Sequence, residues 1–268
     1  MIAFFMKYIE SFHNPFIRNI LKLQDKSRER RKQGLFTVEG KREICLAIKG
    51  GYTIETILTV SDSIDEDISF YKNEFEVVRV SHQVYQKIAY RASTEGLMAL
   101  VSSKKTALDQ LVFQNKNPLI LIAVGIEKPG NIGAMLRTAD AANIDAVILA
   151  DTKTDVFNPN VIRSSLGSVF TNQIVIGNSQ EIIDFLEEKN ISIFSATLQN
   201  SNTYTREDYT RGCALVVGSE ATGLTEIWRS SAKQHIYIPM EGQVDSMNVS
   251  VAAAILIFEA KRQRQTKN

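Results

Sequence analysis

Apolar residues along this chain fall into two patterns, and the change between them comes near residue 118. Before that point hydrophobic positions are broken up and alternate with polar ones. Asn14 to Lys49 reads as helix, loop and helix, with Thr37-Val38-Glu39-Gly40 leading into apolar-spaced Ile44, Leu46 and Ala47. Gly50-Gly51 then punctuates the chain before a β-rich stretch from Thr53 to Val60, and alternation returns at Phe75 to Val80 and Leu97 to Val101. Residues 104–117, polar around a short apolar core, read as a linker. Beyond it the runs are nearly unbroken: Leu119 to Gly125, Ala146 to Ala150, Ile174 to Ile176, Ile191 to Phe194 and Ala214 to Val217. Continuous apolar strands at helical separations predict a mostly parallel sheet covered by helices on both faces. The expected organisation is a small α/β domain over 1–103, a linker over 104–117 and an α/β domain over 118–268, with no internal repeat.

Composition narrows the function classes. With 268 residues, 44% hydrophobic and 23% charged, and only 14 Gly and 5 Pro, the chain is neither disordered nor fibrous. A formal net charge of +1 supplies no global field toward nucleic acid or an anionic membrane, so any basic patch is local. One such run is Lys22, Lys26, Arg28, Arg30, Arg31 and Lys32 against Asp25 and Glu29. It reads either as a solvated helix face or as a phosphate-contacting patch. Cys45 and Cys213, and His13, His82 and His235, share no ligand spacing, so neither a disulfide framework nor a metal site is expected. The opening MIAFFMKYIESF, interrupted by Lys7 and Glu10, is too brief for a signal peptide, and Met6 offers an alternative start. The longest apolar run, Val249 to Phe258, is about half of the roughly 20 residues of a spanning helix. No membrane partner and a cytoplasmic location are expected.

Three constellations carry candidate chemistry. Glu127 to Asp151 follows a buried strand, turns at Pro129-Gly130 and enters a helix with Asn131 at its expected N-cap and an apolar stripe at Ile132, Met135, Leu136, Ala139 and Ala142. Strand, glycine turn, helix and a following acid suggest a dinucleotide site, but only Gly130 and Gly133 stand where G-x-G-x-x-G is needed. Arg137 in that helix reads as a surface residue pairing with Asp140 or as a functional one. In the second, LVVGSEATGL, Gly218 and Gly223 flank Glu220, where a strand-end glycine lets a ligand reach the backbone. In the third, Ile238 to Ala260, Ser246 and Asn248 open a helix whose Val249, Ala252, Ala253 and Leu256 form a small-residue face suited to another helix or a second subunit.

In order along the chain, PGNIGAMLRTADAA, NPNVIRSSLGS, VVGSEATGL and IPMEGQVDSMNVSVAAAI resemble the SpoU (TrmH) family of RNA 2′-O-ribose methyltransferases within the SPOUT superfamily. The earlier NILKLQDKSRERRKQGLFTVEGKRE and STEGLMALV look like the ribosomal-protein-like substrate-binding domain that precedes it. The resemblance implies a trefoil-knotted catalytic domain, an exception to the rule against knotting, a homodimer with the site completed across it, and S-adenosyl-L-methionine held by backbone groups at Gly218, Ile238 and Met247. It implies polar catalytic positions at Asn131, Arg137, Glu220, Ser246 and Asn248. Arg28, Arg30, Arg31, Lys41, Arg42 and Arg163 are the candidate RNA contacts, and rRNA is favoured over tRNA by analogy with two-domain members. A guanidinium stays protonated and is a poor base, so Arg137 is expected to grip phosphate and stabilise developing alkoxide charge. A catalytically silent RNA-binding protein and a nicotinamide-dependent oxidoreductase remain the competing readings.

Overall fold

The structure is a computed structural model describing residues 7–61, 75–90, 96–219 and 222–266. The chain forms two compact units, one from Met1–Lys104 with Asp155–Thr171 and the other from Lys105–Thr154 with Asn172–Asn268. The segment 155–171, expected in the second domain by sequence continuity, therefore belongs to the first unit.

In the first unit, β1 (Lys7–Ile9), β2 (Leu35–Glu39), β3 (Ile54–Thr59), β4 (Glu76–Val80) and β5 (Leu97–Ser102) form a sheet in the order β1-β4-β3-β5-β2. The β1, β4 and β3 strands run parallel, and β5 is antiparallel to both β3 and β2. The expected helix, loop and helix over 14–49 contains a strand: α1 (Pro15–Asp25) and α2 (Ser27–Gln33) are followed by β2 and only then by α3 (Lys41–Lys49). Asn14 opens α1 by accepting the Phe16 N–H at 2.9 Å, with Pro15 preset at the first position. Gly34, at φ 66°, ends α2 in the left-handed region and turns the chain into β2. Ile17, Ile20 and Leu23 of α1 and Val84, Tyr85 and Ile88 of α4 (His82–Ile88) pack with β-strand residues in one core.

The segment 155–171 is fastened to this unit by charge and by rings. Arg30 is 3% exposed. Its Nε donates to Asp155 Oδ2 at 2.6 Å and its Nη1 to the carbonyls of Leu23 and Gln24 at 2.6 and 2.9 Å. Phe36 stacks on Phe157 with centroids 4.2 Å apart, and Tyr52 and Phe170 complete the cluster. At Gly50 an added Cβ would lie 2.1 Å from the Phe170 carbonyl oxygen, so only glycine lets the two backbones pass.

The second unit is a parallel sheet of the order β10-β12-β9-β11-β6-β7-β8, formed by β6 (Leu119–Val124), β7 (Ala146–Ala150), β8 (Ile174–Gly177), β9 (Ser192–Ala196), β10 (Asn202–Thr203), β11 (Cys213–Gly218) and β12 (Gln234–Tyr237). The inner strands β6, β7 and β11 are buried nearly throughout, as their unbroken apolar sequence requires. One face packs against Ile182, Ile183 and Leu186 of α7 (Ser179–Glu188) and against Trp228 of α8 (Glu226–Ser230). Leu108, Leu111 and Phe113 join that face, so the expected linker is part of the second core: its short apolar stretch has a surface to bury. The other face is covered by α5 (Pro129–Ala142) and α9 (Val249–Thr266).

Two predictions follow from this packing. Asp155→Ala leaves a buried guanidinium without its counter-charge and should lower stability of the first unit by about 3–5 kcal/mol, read by hydrogen exchange of α1 and α2; unchanged protection there would mean the pair is dispensable. Cys213 is buried and its thiol is pushed up to about 11 by burial, partly offset by the Arg264 charge. At pH 8 a thiol reagent should therefore modify half-buried Cys45 in the folded protein and reach Cys213 only on unfolding, since the thiolate is the reactive form.

Candidate active site

The carboxyl ends of parallel strands are where α/β sheets collect ligands, because the connecting segments all leave on that edge. Here β6 and β11 end level with each other, Gly218 opposite Val124. The three motif segments follow the ends of β6, β11 and β12.

After β6 the helix α5 begins at Pro129, so Asn131 sits in its first turn rather than at the N-cap; Pro, with φ already helical and no N–H to satisfy, takes the first position. Asn131 is 8% exposed. After β12, the segment 238–248 is largely exposed and ends at Asn248, which is the N-cap of α9: its Oδ1 accepts the Ser250 N–H at 2.9 Å. The Asn248 amide also donates from Nδ2 to Asn131 Oδ1 at 3.1 Å. One side chain thus caps a helix and joins two motifs 117 residues apart. Ser246 is exposed, two positions before the cap, and its hydroxyl donates to Asp245.

Arg137 lies six residues beyond Asn131 on α5, about 9 Å along the axis and on a different face. It is exposed, and among the described residues its guanidinium forms no ion pair or hydrogen bond, the pairing with Asp140 included. Within one chain the fold brings Asn131 and Asn248 together and does not bring Arg137 to them. Glu220 lies outside the described residues.

Gly218 ends β11 where the chain turns back on itself. Ser219 pairs with Gly223 as a bridge, their backbones joined at 2.9 Å, and the Ser219 and Thr222 hydroxyls lie 2.8 Å apart. A Cβ on Gly218 would stand 2.3 Å from the Gly223 carbonyl carbon, so this position must be glycine for the turn to close. Ile238 and Met247 are half-buried at either end of the segment after β12. Gly218 thus ends its strand with no side chain over the backbone, and Ile238 and Met247 stand on the segment that follows β12. Among the described residues no three His, Cys, Asp or Glu side chains gather as a metal site, and no helix is long and apolar enough to cross a membrane.

The acid that suggested a dinucleotide site has another task. Asp151, at φ 51°, accepts both the N–H and the hydroxyl of Ser179, and the Trp228 indole donates to that same hydroxyl oxygen at 2.6 Å. Its carboxylate is spent at the start of α7, which removes the ribose contact on which an oxidoreductase reading depended. Sequence spacing pointed to Asp151 but carried no sign of Ser179 or Trp228 as its partners.

The candidate RNA contacts divide. Arg28, Arg31 and Arg42 are exposed, and Lys41 is half-buried. Arg30 faces inward, held by Asp155 and two carbonyls, and presents no guanidinium to a phosphate. Arg163 is exposed on α6 (Pro159–Ser164), in the first unit.

The small-residue face foreseen on α9 is used inside the unit: Val249, Ala253 and Leu256 are buried, with Ala252 half-buried, on the side where α9 packs against α5 and β11. At the far end Arg264 holds α9 down, donating to the carbonyls of Asn117, Tyr209 and Arg211 at 2.6, 2.9 and 2.8 Å. Val251 and Phe258, each about half exposed, lie on a face that α5 does not cover.

Known proteins share this arrangement. Residues 118–258 match the SpoU rRNA methylase family, and residues 14–99 match the MRM3-like substrate binding domain. The chain is 30% identical over 257 residues to a 23S rRNA (guanosine(2553)-2′-O)-methyltransferase of Bacillus subtilis, covering 96% of this chain and 100% of that protein. It is 35% identical over 191 residues to a 23S rRNA (guanosine-2′-O-)-methyltransferase of Pasteurella multocida, covering 69% of this chain and 78% of that one. An S-adenosylmethionine-bound rRNA methyltransferase from Sinorhizobium meliloti superposes with a TM-score of 0.89 at 26% identity, covering 96% of this chain and 98% of that one. With the match running through the second sheet and its edge segments, this chain belongs to the SpoU rRNA methylase family.

Proposed function

We propose that this enzyme, an S-adenosylmethionine-dependent RNA 2′-O-methyltransferase, methylates a ribose 2′-hydroxyl of 23S-type rRNA at the sheet edge where Asn131 and Asn248 meet. The observation that carries the placement is their hydrogen bond at 3.1 Å, which locks the first turns of α5 and α9 beside the ends of β6 and β11. The rRNA assignment draws on what the Bacillus and Pasteurella relatives are named for.

When bound, S-adenosylmethionine supplies an electrophilic methyl group on a good leaving group. The chain's own work is then binding, orientation and charge control. Gly218, Ile238 and Met247 would hold the cofactor. Asn131, fixed by Asn248, orients the ribose; Ser246 and Glu220 contribute polar contacts from the neighbouring segments. Arg137, exposed and without a protein partner among the described residues, is suited to grip the phosphate next to the target ribose and stabilise alkoxide charge as the proton leaves to phosphate or water. Because Arg137 and the Asn131–Asn248 pair point to different faces of α5, a homodimer in which one copy supplies Arg137 to the other's site accounts for both. The half-exposed Val251 and Phe258 face of α9 is its proposed interface. The chain after Gly218 is proposed to thread as the family's knot, and the enzyme to work where rRNA is made, in the cytoplasm. Arg28, Arg31, Lys41, Arg42 and Arg163 are the proposed RNA-facing cations.

In single-turnover assays with labelled S-adenosylmethionine and transcribed 23S rRNA, Arg137→Ala should slow transfer about 100-fold or more while calorimetry shows unchanged cofactor affinity. Arg137→Lys should recover little, because a point charge cannot reproduce two parallel hydrogen bonds to phosphate; near-full activity of the lysine variant would remove that role. Asn248→Ala should reduce transfer and also destabilise α9 by about 1 kcal/mol through loss of the cap. For the basic run, Arg28→Ala with Arg31→Ala should lower the slope of log affinity against log salt by about 1.5 if both touch phosphate, whereas an unchanged slope returns them to a solvated helix face.

A further inference from the structure

Helix α5 carries Asn131 in its first turn, yet it is opened by Lys128 with no side-chain cap. By contrast α1, α4, α6 and α7 are each opened by an Asn or Ser side chain that accepts a first-turn N–H. In α5 the Asn131 and Ile132 N–H groups go instead to the Lys128 carbonyl, at 3.1 and 3.3 Å. The place of Asn131 therefore depends on how the chain between β6 and α5 is held. That stretch starts with Gly125 at φ 63°, in the left-handed region that glycine enters freely. Ile126 is buried, whereas Glu127 and Lys128 are exposed, so side-chain packing holds the start of the stretch and not the part that opens the helix.

The chain leaving β7 supplies that hold. Thr152 donates its hydroxyl to the Ile126 carbonyl at 2.9 Å, and Thr154 donates to the Glu127 carbonyl at 2.6 Å. The Thr152 hydroxyl oxygen accepts the Thr154 N–H at 3.2 Å, which ties the two threonines together. Their own segment is anchored in turn, since Asp151 donates its N–H to the Gly177 carbonyl at 3.0 Å and its carboxylate accepts from Ser179. Two hydroxyls thus grip consecutive carbonyls, and the next carbonyl along the chain is the one that receives the Asn131 N–H. We infer that Thr152 and Thr154 are positioning residues for methyl transfer: they fix the backbone of Ile126, Glu127 and Lys128, and through it the place of Asn131 against Asn248. The inference rests on the proposed site at Asn131 and Asn248. Both threonines are half-buried, and hydrogen bonds of this kind add little to global stability. Transfer between held groups, by contrast, loses rate steeply when one of them is misplaced by about 1 Å. A fall in kcat with the fold intact is the expected signature.

The test uses the full-length protein. Thr152→Val combined with Thr154→Val should slow single-turnover transfer to transcribed 23S rRNA about tenfold, with melting temperature, RNA affinity and S-adenosylmethionine affinity close to wild type. Thr152→Ser combined with Thr154→Ser, which keeps both hydroxyls, should transfer within about twofold of wild type. Because the threonines act through Asn131, the same two valines in an Asn131→Ala background should cost little more. Hydrogen exchange reads the hold without substrate: residues 125–132 should exchange faster in the valine variant, with the rest of the second unit unchanged. A wild-type rate or wild-type exchange in the valine variant overturns the inference, as do serine variants as slow as the valines, or valine and Asn131→Ala losses that simply multiply. If Asn131→Ala transfers at the wild-type rate, the proposed site fails and the inference with it; if Asn131→Ala is slow and the valine variant is not, the inference alone fails. If wild type does not methylate this RNA, the proposed substrate fails, and the exchange result decides whether the threonines hold α5.

Discussion

The second unit depends on how α9 is held. The helix covers the sheet beside α5, and polar contacts fasten it at each end: Asn248 to Asn131 at its start and Arg264 to the carbonyls of Asn117, Tyr209 and Arg211, in the segments leading into β6 and β11, near its finish. Between those points Val249, Ala253, Leu256, Ile257 and Ala260 are buried. Small side chains at Ala253 and Ala260 let the helix approach closely, while the polar contacts tie its two ends. A helix displaced by one turn, about 5.4 Å, would separate Asn248 from Asn131 and break that contact.

A comparable division of labour holds in the first unit. The basic run on α2 has three arginines within four positions, and a helix turns about 100° per residue, so they cannot all face the same way. Arg30 points inward and joins a chain segment that sequence order assigns elsewhere; Arg28 and Arg31 point out. The same segment that Arg30 and the Phe36–Phe157 stack secure also delivers Arg163 to the ring of Tyr90. The structural ion pair and the Arg163–Tyr90 ring contact thereby share residues 155–171.

One buried polar network in the second unit is built in the same way. Trp228, Ser179 and Asp151 satisfy one another, and Ser195 donates to the Trp228 carbonyl, so the large indole is fixed from both its ring and its backbone. Such a network tolerates few substitutions, since removing one member leaves the others buried without partners.

The sequence by itself determined the fold class. Short unbroken apolar runs at helical separations predicted a parallel sheet buried on both faces, and the three motif segments follow β6, β11 and β12. It also determined the family, because the motifs are ordered and specific. Tertiary structure decided what local pattern does not encode. Pro129 shifted the helix start so that Asn131 became an internal residue; Asp151 was drawn to Ser179; Arg30 was turned inward; and the expected linker was absorbed into a core that exposed Leu108, Leu111 and Phe113 would otherwise have left incomplete. The surroundings of Tyr90 were illegible for the same reason: Glu39, which accepts its N–H, and Arg163, which lies over its ring, are far from it in sequence and meet it only through packing of distant segments. Periodicity reports which face of an element is buried, whereas side-chain pairing between elements depends on distances that no spacing along the chain contains.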